Sequence, residues 1–455
     1  MRRAGLAAAA ATALLVGSVA GEARANGRFP SAEQLVVDPT DPAHIEVQVT
    51  YGFIHTRDDG ATWYWTCEDA AGYGGVLDPP IAVLDGGKLI AGVFDGLVVG
   101  SPEGCNLGFV PGDLAGRFFV DVSANKTEPT RAIAVSSNGL GGNVFDTRLW
   151  ASDDTGATWA QAGASLPDDF LALTADAAPS NDQRIYLSGF AIPSSDNYIG
   201  TLARSSDGGA TWEMLPIPGS NNQAGPYIAA IAPGDPDTVY VRLDSDLGKL
   251  LVTRDAGETW ESVFDATSPL LGFALSPDGS EVRVGTETDG IHGARTDDLV
   301  FTQVSTLGVR CLTWAGDRLY ACAKEAVSGF TIGRSTDKGA TFEAIHHLSC
   351  LGGPDPACAA GTSVTDACVA KWAAQMQILQ TDLCAAASTS SSSSGGGTAP
   401  DGDGDSGDDG CGCVVPSNGN DTPVSFVVAL LAIGVGITGL RRLPRRAPTS
   451  AQSDR

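Results

Sequence analysis

Apolar and polar positions alternate in short runs between residues 26 and 349, the pattern of strands rather than helices. Leu35-Val36-Val37 is followed by the polar stretch Asp38-Pro39-Thr40-Asp41-Pro42 and then by the alternating Ile45-Glu46-Val47-Gln48-Val49. The same order returns at Ile228 to Ile231, Pro233 to Asp237 and Val239-Tyr240-Val241. It returns again at Phe273-Ala274-Leu275, Ser276 to Gly279 and Val282-Arg283-Val284. A period of two marks half-buried strands, and clusters of Pro, Gly and Asp mark the turns between them. Nothing in this region reads as a helix.

Outside it lie five segments of different pattern. Residues 1–25 open with Arg2 and Arg3, continue through an apolar run from Leu6 to Val19 and end in Ala23-Arg24-Ala25, the layout of a secretory signal peptide. Residues 350–384 carry four cysteines, and Val369, Trp372, Met376 and Leu379 share one helical face. This predicts a short amphipathic helix stapled by two disulfides, a cap packed on the strand-rich region. Residues 385–423 are a Ser/Gly/Asp-rich linker containing Cys411-Gly412-Cys413, of which Ala385 to Asp409 is expected to be disordered and to hold the body away from a membrane. Val424 to Leu440 is an apolar run of about 25 Å at 1.5 Å per residue, at the short limit for a transmembrane helix. Arg441, Arg442, Arg445 and Arg446 follow at once, so residues 441–455 read as a basic cytoplasmic tail and the body faces outward. A buried core helix is the competing reading of 424–440, and the lack of a polar face argues against it.

Five octads recur with the pattern Ser/Thr-x-Asp-x-Gly-x-Thr-Trp/Phe: Thr56 to Trp63, Ser152 to Trp159, Ser205 to Trp212, Thr253 to Trp260 and Ser335 to Phe342. Asp58, Asp154, Asp207, Asp255 and Asp337 are placed to bond backbone amides a residue or two on. Gly60, Gly156, Gly209, Gly257 and Gly339 supply a positive φ. Trp63, Trp159, Trp212, Trp260 and Phe342 are placed to pack the turn on its sheet. The repeat resembles the Asp-box, or BNR repeat, of sialidases, sortilin-type receptors and photosystem-assembly propellers. That resemblance implies a scaffold turn on the outer rim, between the last two strands of each blade of a β-propeller. Worn copies fall at Ser101-Pro102-Glu103-Gly104-Cys105 and Thr296-Asp297-Asp298, giving repeat starts 39 to 53 residues apart. The expected fold is all-β: a seven-bladed β-propeller of four-stranded antiparallel blades over residues 26–349, with six or eight blades if a worn copy is misread.

Charge and cysteines add the compartment. The net charge is −26; setting aside the net +2 of residues 1–25 and the net +4 of residues 424–455 leaves −32 for the stretch between. Such an excess repels nucleic acid and anionic headgroups, so neither is an expected partner of the propeller. All ten cysteines lie from Cys67 to Cys413, an even count that reads as a disulfide framework in an exported protein. A Gly316-Asp317 hairpin turn sets Cys311 opposite Cys322 and predicts that pair. Cys67 with Cys105 is the next candidate, only because the two are left over. Asp401, Asp403 and Asp405 alternate as in a calcium loop, but Ser406 stands at the turn glycine and Gly412 at the twelfth position, so an acidic spacer is the better reading. Cys411-Gly412-Cys413, a polar stretch, an apolar span and an Arg cluster together resemble the MYXO-CTERM sorting tail of surface proteins. The resemblance implies processing or anchoring at Cys411 or Cys413 by sorting machinery; a plain single-pass anchor with two structural cysteines is the alternative.

For function, the sequence leaves two classes. The sialidase families would need an arginine cluster, a Tyr/Glu pair and an Asp acid; Gly27-Arg28-Phe29-Pro30 resembles their early Arg-Ile-Pro motif loosely, and no Tyr/Glu pair stands out among eight tyrosines. His346 and His347 are adjacent on an expected strand and point to opposite faces, poor geometry for one metal ion. No G-x-S-x-G, P-loop or dinucleotide fingerprint has a supporting context, and no cofactor is expected. The preferred expectation is a cell-surface binding or scaffolding module for an extracellular protein, peptide or glycan. An exported glycoside hydrolase of sialidase type is the alternative.

Overall fold

A computed structural model describes residues 28–74 and 77–381. The strands form seven separate four-stranded antiparallel sheets, each from four consecutive strands in simple up-and-down order. The blades span 32–66, 81–109, 119–161, 170–216, 225–265, 270–305 and 311–346. The first strand of each blade touches the first strand of the next, and that of blade 7 touches that of blade 1, so the inner strands close a ring about a central channel. Radial packing suits this sequence because short alternating strands bury their apolar faces only against neighbouring sheets. The core accordingly lies between blades, as where Tyr186, Leu202 and Leu215 of blade 4 pack with Val239, Val241 and Leu251 of blade 5.

The five octads and both worn copies lie between the third and fourth strands of their blades, as expected. One helical turn, Glu325–Ser328, interrupts the strand pattern in blade 7, and 3-10 turns lie at Glu68–Ala71 and Gly112–Leu114. Four residues are too few to show a helical period in the sequence.

No strand is exchanged between the first and last blades. Side chains hold this seam: Arg310 forks onto Glu33 at 2.7–3.1 Å, Thr313 Oγ1 donates to the Leu35 carbonyl (2.7 Å), and Asp59 accepts from Arg318 (2.7 Å) and Arg334 (2.8 Å). The chain beyond blade 7 then straps the seam. Gly352 N–H donates to Trp63 O (2.8 Å) and Trp65 N–H to Gly353 O (2.6 Å), and the helix Ser363–Leu379 docks beside blades 1 and 2.

Here the cysteine expectation is corrected. Cys67 bonds Cys368 and Cys105 bonds Cys358, across 301 and 253 residues, rather than Cys67 bonding Cys105. The cap is therefore stapled to the ring and not merely within itself; Cys350 is also disulfide-bonded. Cys311–Cys322 forms as expected, with the two residues directly opposed. The helix buries Val364, Cys368 and Leu379 and lays Trp372 against Trp65 (ring centroids 5.5 Å apart), whereas Val369 is exposed. The staple at Cys368 rotates the buried face away from the one apolar spacing alone suggested.

The segments 1–25, 385–423 (with Cys411 and Cys413), 424–440 and 441–455 lie outside the described residues. Among the described residues no helix is long and apolar enough to cross a membrane.

Candidate functional site

An up-and-down blade sends its first-to-second and third-to-fourth turns to one end of the ring, and its second-to-third turns and blade-to-blade connections to the other. The octads occupy the first end. In the octad from Thr56 to Trp63, Thr56 Oγ1 donates to Asp58 Oδ1 (2.8 Å) and accepts from Gly60 N–H (3.0 Å). Asp58 reaches four residues on, not one or two: Oδ1 accepts from Thr62 N–H (2.8 Å) and Oδ2 from the Thr62 hydroxyl (2.7 Å). The other four octads repeat these bonds. The octad glycines have φ of +75° to +101°, and the residue before each is left-handed too: Asp59, Thr155, Gly208, Ala256 and Lys338.

Two of the closing aromatics also bind the neighbouring blade or its connection. Trp63 Nε1 donates to Gly60 O (3.1 Å) and to Ile345 O of blade 7 (2.9 Å), and Trp212 Nε1 donates to Ala164 O beyond blade 3 (3.2 Å). Trp159 Nε1 bonds Gly156 O within its own turn (3.1 Å). The Thr259 hydroxyl, then the Thr259 N–H and the Thr253 hydroxyl, hold the Asp255 carboxyl down at about 2; Thr341 and Ser335 do the same for Asp337. These carboxylates spend their lone pairs on their own turns, so this end offers chemistry to the fold rather than to a ligand.

The channel wall is likewise engaged. Gln34 exchanges two 3.0 Å bonds with the Ile81 backbone, Asp121 Oδ2 accepts from Ala175 N–H (2.8 Å), and Thr174 Oγ1 accepts from Ile228 N–H (3.0 Å). Each side chain satisfies an edge group of the next inner strand. Burial pushes the Asp121 carboxyl up to about 7, against the pull of the Ala175 and Val122 N–H groups, and nearby Asp176 adds to the rise. No spacing in the sequence marks Asp121; only closure of the ring surrounds it.

At the second end the arginines are taken. Arg28 forks onto Asp78 (2.5 and 2.7 Å), Arg117 and Arg148 share Asp146 (2.9 and 2.7 Å), and Arg310 sits between Glu33 and Glu287. Arg242 instead lies over the Tyr227 ring, 4.8 Å from its centroid, and donates to Leu270 O (3.3 Å). His346 is buried against Trp63 (5.0 Å between centroids) and His347 is half-buried; among the described residues no His, Cys, Asp and Glu side chains are grouped to hold a metal ion.

This end also exposes apolar side chains at its turns. Leu140 and Val144 cap the tall hairpin of blade 3, Ile199 that of blade 4, Leu247 and Val327 lie in the corresponding turns of blades 5 and 7, and Phe29 lies beside the turn of blade 1. They are six of the ten large hydrophobics that the described residues expose, whereas the octad end contributes only Val300. Sequence reading missed them because a turn residue's exposure depends on how far its hairpin rises above its neighbours.

Such a ring is a seven-bladed β-propeller. No protein-family model and no curated protein matches the sequence. Among solved structures, an ancestral GH74 enzyme aligns with a TM-score of 0.52 at 12% identity, over 70% of this chain and 46% of that one. This chain thus spans less than half that enzyme's length, and the likeness shows the fold. YCF48 bound to D1 peptide aligns over 50% of this chain and 68% of that one at 17% identity, TM-score 0.34. Sqt1 of Saccharomyces cerevisiae aligns over 70% and 87% at 11% identity, TM-score 0.47.

Proposed function

We propose that the protein is an exported, surface-anchored binding module that turns its second-to-third-turn end toward an extracellular partner. The observation that carries this reading is the segregation of exposed apolar side chains to that end, opposite the self-satisfied octads. Exposed apolar side chains gathered on one face mark interaction surfaces. The three disulfides among the described residues suit an oxidising compartment. Residues 1–25 export the chain, and residues 424–440, with processing or anchoring at Cys411 or Cys413, hold it at the cell surface.

Hydrolysis of a sialoside is the weaker reading, because Arg28, Arg117, Arg148 and Arg310 are already committed to carboxylates of the chain. A photo-crosslinking side chain placed at Leu140, Leu247 or Val327 in intact cells should capture one shared partner, and at Thr62 or Thr211 in the octads none. Capture from the octads alone would overturn the assignment of the face. Turnover of a fluorogenic sialoside would overturn the non-catalytic reading.

A further inference from the structure

We infer that the groove formed by blade 4 and the connection leading into it, at the exposed end, takes an extended apolar segment of a partner protein flanked by basic residues. The inference rests on the reading that this end faces the partner. In blade 4 the second and third strands, Asn181–Ser194 and Asn197–Ser205, rise well above the outer strand Glu213–Pro216, which pairs only with Thr201–Arg204. The outer edge of Asn197–Ile199 therefore has no partner strand. Gly200 O points outward, where it accepts from Ile217 N–H (2.7 Å), and strand alternation directs the N–H and C=O of Tyr198 the same way.

Beside this edge Pro167, Asp169, Ala191, Ile199, Met214 and Pro216 line a cavity of about 260 Å³. That is below the usual range for a small-molecule pocket and suits one or two apolar side chains. A strand laid along the open edge would turn alternate side chains into it.

The rim sets the charge of the occupant. Asp169 lines the groove, Asp168 adjoins it in the chain and Asp196 stands in the hairpin turn between Ser194 and Asn197, and none has an ion-pair partner among the described residues, unlike Asp146, Asp78 and Glu33. The Asp168 and Asp169 carbonyls are held by Phe145 N–H (2.7 Å) and Ile192 N–H (2.8 Å), so their loop is fixed before a ligand arrives. Carboxylates without internal partners beside an apolar slot favour lysine or arginine flanking an apolar anchor.

The test uses the full chain in nanodiscs of phosphatidylcholine, with empty nanodiscs as blank, in 0.15 M salt. Three fluorescein-labelled nonapeptides serve as probes: alternating Lys and Leu, the same with Glu for Lys, and the same with Ser for Leu. The Lys/Leu peptide should bind at least tenfold more tightly than either control. Ile199→Asp and the double change Asp168→Lys, Asp169→Lys should each weaken it at least tenfold, the milder Ile199→Ser at least threefold, and Val300→Asp at the octad end of blade 6 less than twofold. Equal binding of the Lys/Leu and Lys/Ser peptides, no binding, or indifference to both Ile199 variants would overturn the groove. Cross-links from Leu140, Leu247 and Val327 that persist without peptide binding would remove the groove alone; loss of both would remove the wider reading of the face.

Discussion

Desolvation pushes the Asp121 carboxyl and the His346 imidazole each toward its uncharged form. The Asp121 carboxyl stands near 7 in the folded chain and near 3.8 unfolded. The unfolded chain therefore loses its proton first, and stability present below about pH 4 is lost as the pH rises through 7. Asp121→Asn keeps an acceptor for Ala175 N–H without the ionisation. It should raise the unfolding free energy at pH 8, read from guanidinium melts, by on the order of 2 kcal/mol and have little effect at pH 4. His346 runs the opposite way: burial, and then the charge of His347, lower it to about 3, and neither ring nitrogen has a hydrogen-bond partner. Stability present above pH 6.5 is lost as the pH falls toward 3, because only the unfolded chain takes the proton. His346→Leu should therefore gain about 1–2 kcal/mol more at pH 5 than at pH 8, read from urea melts at both values.

At the scale of the element, the octad turn works because its donors and acceptors are local. Glycine is required in the octad of blade 5, where a Cβ on Gly257 would stand 2.7 Å from Leu202 Cδ2 at a φ of +101°. Gly257→Ala should cost about 2–3 kcal/mol, with no loss of net β structure by circular dichroism below the melting point. Because the hydrogen bonds of the Ser/Thr and Asp side chains lie within the eight residues, these turns were legible in the sequence. So was the Cys311–Cys322 pair, whose register a two-residue turn sets. The cap helix was legible as a helix but not in its orientation, since Val364 and Cys368, not Val369, meet the ring.

At the scale of the molecule, the ring closes without a shared strand, and two long-range disulfides cross the ends of the chain. A disulfide that closes a loop of hundreds of residues contributes typically 2–4 kcal/mol, mostly by restricting the unfolded chain. Paired removal of Cys105 with Cys358, or of Cys67 with Cys368, by serine should lower stability by about that amount. Limited proteolysis should then cut first between residues 347 and 381. Cleavage starting instead within blades 3 to 5 would show that the strap does not guard the seam.

The sequence by itself determined the strand-built blades, the five turn octads and the hairpin disulfide; it pointed to seven blades with six or eight left open, and the seven sheets of the ring decided that number. Each depends on residues close together in the chain, and repetition made the pattern readable even where two copies are worn. Only the tertiary structure decided which cysteines meet across 301 and 253 residues, which carboxyl is buried on the channel wall, and which turns rise to expose Leu140, Val144 and Ile199. Those outcomes follow from closing the ring, which brings together side chains that no local spacing relates.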